Sequence, residues 1–280
     1  MTARDVAVIG LGCIGGSILR RLPSGEVRAK GWSTSAEDTA LAREMGLDVP
    51  GALDETLISS SIVVLAVPVQ AIADVMQSVM RSAPQTATIL HCGGVQAREA
   101  LGLDEARYAR VRGTHPLAGS QDSGFTASRA DLFEGCAVSI ERPTAAPSPG
   151  EEERIRWLWA RLGATRLEYR TAAEHDALMA WISHLPQLAS TALAAAFAAE
   201  HIDPGTVGPG ARDTTRLAAS AFEQWVSLLQ AQPRVLDEAL AALQASVGAI
   251  RDALAQRDQR MLQRIWEAAR EWRRSAERSA

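Results

Sequence analysis

Short apolar runs alternate with amphipathic stretches through the first half of the chain. Val6–Ile9, Ile62–Val67, Thr88–Leu90, Arg110–Gly113 and Ala137–Ile140 carry the β-rich runs, and Thr165–Tyr169 makes a last strand. Gly15–Arg21, Ala36–Met45, Gln70–Arg81 and Glu151–Leu162 carry helical patterns between them. Strands alternating with helices predict right-handed crossovers and a mainly parallel sheet. The Pro-rich stretch Arg142–Gly150 reads as a loop inside this domain, because strand and helix patterns resume after it.

From about Thr171 alanine becomes dense and β-branched runs vanish. Long helices are predicted over Ala172–Glu200, Arg212–Gln230 and Pro233 to near the end. Pro204, Gly205, Gly208, Pro209 and Gly210 separate the first two. Leu236, Leu240, Leu243, Val247, Ile250 and Leu254 recur at helical spacing. So long a stripe predicts helix-on-helix packing between subunits. The closing helix mixes Trp266, Trp272 and arginines with glutamates, the pattern of a packing helix rather than a membrane-surface one. The predicted domains are therefore 1–170 and 171–280.

Composition narrows the class. With 280 residues and 47% hydrophobic content the chain can bury two modest cores. A net charge of −4 gives no reason to expect a nucleic-acid partner. Cys13, Cys92 and Cys136 show neither CxxC spacing nor a disulfide framework, which fits a reducing compartment. No segment has the length of a membrane span, and the expectation is a cytoplasmic enzyme without membrane contact.

Val6–Ile9 runs into Gly10-Leu11-Gly12-Cys13-Ile14-Gly15, a GxGxxG between strand and helix. The first glycine permits the tight turn, the second lets backbone approach a pyrophosphate, and the third allows close helix–strand packing. The helix N-terminus then offers free amides to the phosphates. The tip of the second strand, near Gly31-Trp32, is followed by Ser33-Thr34-Ser35 and not by a carboxylate. Glu37 and Asp38 come later, behind a Ser35 cap. Without that carboxylate a 2′-phosphate is not repelled, so NADP is expected in preference to NAD. Val67-Pro68 and Gly93 close later strands, where small residues leave room for the ribose and nicotinamide.

Three polar elements remain that packing does not require. One is His115, within Gly113-Thr114-His115-Pro116-Leu117-Ala118-Gly119-Ser120. The second is Glu174-His175-Asp176 with Ser183-His184-Leu185-Pro186 on one long helix. The third is Arg212-Asp213-Thr214-Thr215-Arg216, then Trp225. An arginine in a helical core must be paired or face a ligand, and its guanidinium fork suits a carboxylate.

In this order, GLGCIGGS at 10–17, GTHPLAGSQDSGF at 113–125, DLF at 131–133, EHD, SHLP, RDTTRLA and Trp225 resemble the prephenate and arogenate dehydrogenase family of tyrosine biosynthesis. The resemblance implies a Rossmann-like N-terminal α/β domain followed by an all-helical dimerisation domain, hence a homodimer. It also implies NAD(P)-dependent oxidative decarboxylation of a cyclohexadienol. Carried onto this chain, His115 hydrogen-bonds the ring hydroxyl and takes its proton as hydride departs. Arg216 clamps the ring carboxylate, His184 supports the pocket, and Trp225 lines the side-chain end. Ser120 joins the substrate residues, Asp213 orients Arg216 or favours its helix N-terminus, and His175 is read as structural.

Two departures from the family pattern stand out. Gly94, within His91-Cys92-Gly93-Gly94-Val95-Gln96, occupies the place of a serine that helps bind the ring hydroxyl. Gln187 stands where many prephenate-using members have histidine, which makes arogenate more attractive. A 4-amino analogue of prephenate and a non-catalytic NADP-binding sensor are the alternative readings. A hydroxy-acid dehydrogenase sharing the helical domain is disfavoured, because Ala172–Glu200 holds none of the lysine such enzymes use.

Overall fold

The computed structural model describes residues 4–22, 27–119, 122–142 and 150–279. Met1–Gln232 form one compact unit and Pro233–Ala280 a second.

The first unit is built on a seven-stranded sheet ordered β2-β1-β3-β4-β5-β6-β7. The strands are β1 (Arg4–Ile9), β2 (Val27–Trp32), β3 (Ile62–Leu65), β4 (Thr88–His91), β5 (Val111–Pro116), β6 (Ala137–Glu141) and β7 (Arg166–Arg170). All neighbours pair in parallel except β5 and β6, which are antiparallel. Helices α1 (Cys13–Arg21), α2 (Ala36–Glu44), α3 (Leu53–Leu57), α4 (Ile72–Ser82), α5 (Glu105–Tyr108) and α6 (Glu151–Leu162) make the connections. Buried clusters lie on the two faces, one around Val6, Val8, Ile18 and Trp159, the other around Ala7, Ile9, Leu65 and Met76. Burial on both faces explains why the central strands read as continuous apolar runs.

The predicted strands hold in kind but shift in extent. β3 stops at Leu65, so Val67 and Pro68 lie in the turn beyond it. β5 runs on to Pro116 because β6 pairs antiparallel with Thr114, His115 and Pro116. His115 therefore sits inside a strand with a fixed register against Ser139. Most of the Pro-rich stretch, residues 143–149, lies outside the described residues.

The helical half differs more. The predicted helix Ala172–Glu200 is α7 (Ala172–Met179), a π turn at Ala180–His184, and α8 (Leu185–Ala199). Pro186 has no N–H for the Ile182 carbonyl and crowds it, so the regular i→i−4 ladder fails there. The predicted helix Arg212–Gln230 is likewise three pieces: α9 (Pro209–Thr215), a 3₁₀ turn Arg216–Ala219, and α10 (Phe222–Ala231). Ser220 and Ala221 between them are extended, with ψ of 142° and 137°. Ser220 stands three residues before Glu223, a helix-start pattern that the continuous apolar spacing masks, and α10 packs against the turn at Val69–Ala71.

In the second unit α11 (Pro233–Ala255) and α12 (Gln259–Ser279) replace the single predicted helix. Arg257, at φ 53°, turns the chain, and the Asp258 carboxylate caps α12 by accepting from Met261 N at 3.0 Å. Along the predicted stripe Leu236 is buried, whereas Val247 and Leu254 are 51% and 60% exposed in the single chain. Among the described residues no helix is long and apolar enough to cross a membrane.

Candidate active site

The glycine-rich turn is sterically committed. Gly10 has φ +93°, and a Cβ there would lie 2.5 Å from the Ala66 carbonyl oxygen. A Cβ on Gly15 would lie 1.8 Å from the Gly10 carbonyl oxygen. At Gly12 a Cβ would meet nothing within 4 Å, so that backbone borders open space. Gly12 begins α1 without a side-chain cap, and a helix N-terminus of this kind presents its positive dipole end to an anion. Leu11 is buried beneath the turn. This cradle fits a dinucleotide pyrophosphate.

At the tip of β2, Ser33 Oγ accepts from Ser35 N at 3.1 Å and Ser35 Oγ accepts from Asp38 N at 3.1 Å. Both serine hydroxyl oxygens accept in these contacts, and Thr34 is exposed. Asp38 Oδ1 is committed elsewhere, accepting from Phe125 N at 2.8 Å. Val67 is half-buried and Pro68 exposed after β3, while Gly93 is buried after β4 with its N–H donating to His91 Nδ1 at 3.2 Å.

His115 is half-buried at the C-terminal end of β5, where ligands bind in open α/β sheets. Its Nδ1 lies 3.0 Å from His175 Nε2, and the rings meet edge-on at 5.2 Å. His175 Nδ1 lies 2.7 Å from Asp176 Oδ1. Asp176 in turn accepts from Gln96 N and Ala97 N, each at 2.9 Å. His175, which the sequence suggests is structural, is the direct partner of His115. An EHD triplet on a helix gives no sign that α7, packed against β6 and β7, brings His175 to His115 at the end of β5, so only the fold reveals the contact.

Burial pushes His115 down to about 3, helped by His175, His91 and His184. Burial also pushes His91 down to about 4 and lowers His184. His115 is thus held neutral, a hydrogen-bond acceptor in waiting. Cys92 is pushed up to about 12 by burial and is no thiolate. Gly94 faces the other end of the imidazole: a Cβ there would sit 3.8 Å from His115 Nε2 and 3.4 Å from Leu228 Cδ2.

The π turn buries His184, whose ring meets Trp225 edge-on at 6.0 Å. Gln187 is buried on α8, donating from Nε2 to the Leu217 carbonyl at 2.9 Å and to Thr191 Oγ1 at 3.4 Å. Its Oε1 has no partner among the described residues. His91, His115, His175, His184, Gln187 and Trp225 thus come from both halves of the first unit. Arg212, Asp213 and Arg216 are exposed, contrary to the expectation of arginines in a helical core. The 3₁₀ turn turns Arg216 outward, and among the described residues no ion pair joins it to Asp213. Ser120 lies outside the described residues.

Residues 16–167 match the family model for the prephenate dehydrogenase nucleotide-binding domain, and residues 171–268 match that for the prephenate dehydrogenase dimerization domain. The chain belongs to the prephenate dehydrogenase family. Its relatives include the cyclohexadienyl dehydrogenase of Zymomonas mobilis, 28% identical over 91% of this chain and 90% of that protein. Prephenate dehydrogenase from Aquifex aeolicus, solved with hydroxyphenyl propionate and NAD+, shares the fold with TM-score 0.86 at 20% identity, over 98% of this chain and 99% of that one. Synechocystis arogenate dehydrogenase does so with TM-score 0.81 at 24% identity, over 97% and 99%. Like its family, the chain is an NAD(P)-dependent oxidoreductase.

Proposed function

We propose that this enzyme catalyses oxidative decarboxylation of arogenate, with prephenate as the weaker substrate and NADP as the preferred cofactor. The observation that carries the reading is His115: neutral, engaged through Nδ1, and with Nε2 beside the small Gly94 at the strand ends. Bound at Gly10–Gly15, the oxidised dinucleotide supplies the hydride acceptor. His115 Nε2 accepts the ring hydroxyl's hydrogen bond and then its proton. Arg216, exposed and without an ion-pair partner among the described residues, holds the ring carboxylate. His184 and Trp225 wall the pocket.

Gln187 supports the choice of side chain. Both hydrogens of its amide are used by Leu217 and Thr191, so only the carbonyl oxygen is left to a ligand. An ammonium supplies the donor that this oxygen lacks, whereas a keto group brings another acceptor. NADP is favoured because Ser33, Thr34 and Ser35 can donate to a 2′-phosphate while Asp38 is held by the Phe125 amide. The domains are taken as 1–170 and 171–280, with a homodimer formed through the helical part.

Arogenate and prephenate offered in parallel, with reduced cofactor followed by absorbance, test the reading. The expected kcat/KM ratio favours arogenate by about 10- to 100-fold, the value of one hydrogen bond to a charged group. Gln187→His should shrink that ratio. A wild-type preference for prephenate would overturn the assignment of the side chain.

A further inference from the structure

We propose that His175 and Asp176 complete a proton path behind His115. As His115 Nε2 takes the substrate's hydroxyl proton, His115 Nδ1 hands its own proton to His175 Nε2, and the positive charge rests beside Asp176. The inference builds on the reaction proposed above. It makes His175 a positioning residue that acts through His115 and never touches substrate.

The geometry sets every proton in turn. Both oxygens of Asp176 accept backbone N–H groups, from Gln96 and Ala97, so the carboxylate acts as an acceptor towards His175. His175 Nδ1, at 2.7 Å from Asp176 Oδ1, must then carry a hydrogen. In a neutral ring that leaves His175 Nε2 bare. His115 Nδ1, 3.0 Å away, can meet a bare nitrogen only by donating to it. His115 Nε2 is consequently the bare nitrogen, on the side that faces Gly94. A carboxylate only 4% exposed and a histidine 0% exposed thus select the tautomer of a residue neither shares an element with.

The same chain solves a charge problem. A proton held by His115 alone would meet burial and the neighbouring His91, His175 and His184, all of which oppose it. On His175 the charge faces a carboxylate at 2.7 Å. The titratable groups around this pair are His91 from β4, His115 from β5 and His184 from the π turn, with Glu141 from β6 and Tyr108 from α5 in reach of Asp176.

The proton count closes. The substrate O–H bond breaks, its electron pair becomes the second C–O bond, and the C–H pair leaves as hydride to the oxidised nicotinamide dinucleotide. His115 gains a proton at Nε2 and loses one at Nδ1. When carbon dioxide departs, the released C–C pair makes the ring aromatic and returns a pair to oxygen. That oxygen takes the proton back from His115 Nε2, and His175 Nε2 returns its proton to His115 Nδ1.

Histidine nitrogen NMR on the ligand-free full chain reads the tautomers directly. The expected result is a protonated Nδ1 and a bare Nε2 on His115; the opposite tautomer overturns the proposal, whether or not the enzyme turns over. His175→Gln offers a carbonyl to His115 Nδ1 but cannot take its proton. The variant should keep the His115 tautomer and the dinucleotide Kd while kcat falls about 100-fold at nearly constant KM. His175→Phe should lose the tautomer as well. A glutamine variant with kcat within about threefold of wild type would refute the path. Absence of turnover by wild type on arogenate and prephenate, with the predicted tautomer present, would refute the substrate assignment instead.

Discussion

Gly94 shows how one missing side chain reshapes the site. A Cβ there would be in ordinary contact with Leu228 and His115, so a serine fits without moving backbone. Gly94→Ser should leave thermal stability unchanged and lower KM for the hydroxyl substrate by about three- to tenfold, the value of one added hydrogen bond. A raised KM in steady-state assays would mean that the substrate itself fills this space. Residues whose role depends on local backbone were legible in the sequence: Gly10 and Gly15 stand where only glycine fits. Residues whose role depends on a distant partner were not. His175 lies 60 positions from His115, and nothing local announces their meeting. Gln187 was visible as neutral, but which of its amide atoms is left free follows only from the Leu217 carbonyl.

Strands and the first helices followed their apolar periods because burial on the sheet dictates both. The helical half was legible in type but not in continuity. Pro186 sits after the π turn it provokes, while the break at Ser220 is marked only by Ser220 standing three residues before Glu223, within an otherwise continuous helical pattern. The stripe on α11 was readable, and Val247 and Leu254 on it are apolar yet open in the single chain. Val247→Arg on this face should convert a dimer to monomer in sedimentation without loss of helix, since a buried unpaired charge costs several kcal/mol. An unchanged sedimentation coefficient would assign the stripe another purpose.

Across the whole molecule, the neutral histidines couple activity to stability. In the unfolded chain a histidine titrates near 6.5, whereas folded His91 and His115 are pushed down to about 4 and about 3. The unfolded state therefore binds more protons below 6.5, and stability is full above that pH and is lost as pH falls towards 4. Well below pH 6.5 each histidine removes about 1.4 kcal/mol per pH unit, which comes to ~3 kcal/mol for the pair between about pH 6.5 and 5. The urea midpoint should fall accordingly on acidification, and a constant midpoint would show that these rings are not buried neutral. The fold and cofactor class were legible because they rest on repeated, local patterns, whereas the side-chain choice rests on single contacts across the first unit. The most direct test of the reaction is to measure reduced dinucleotide and released carbon dioxide together, for wild type and His115→Asn acting on arogenate. Equal yields of both products, with turnover lowered at least about 100-fold in the variant, is the predicted result. Reduction without carbon dioxide release, or full turnover without His115, would contradict it.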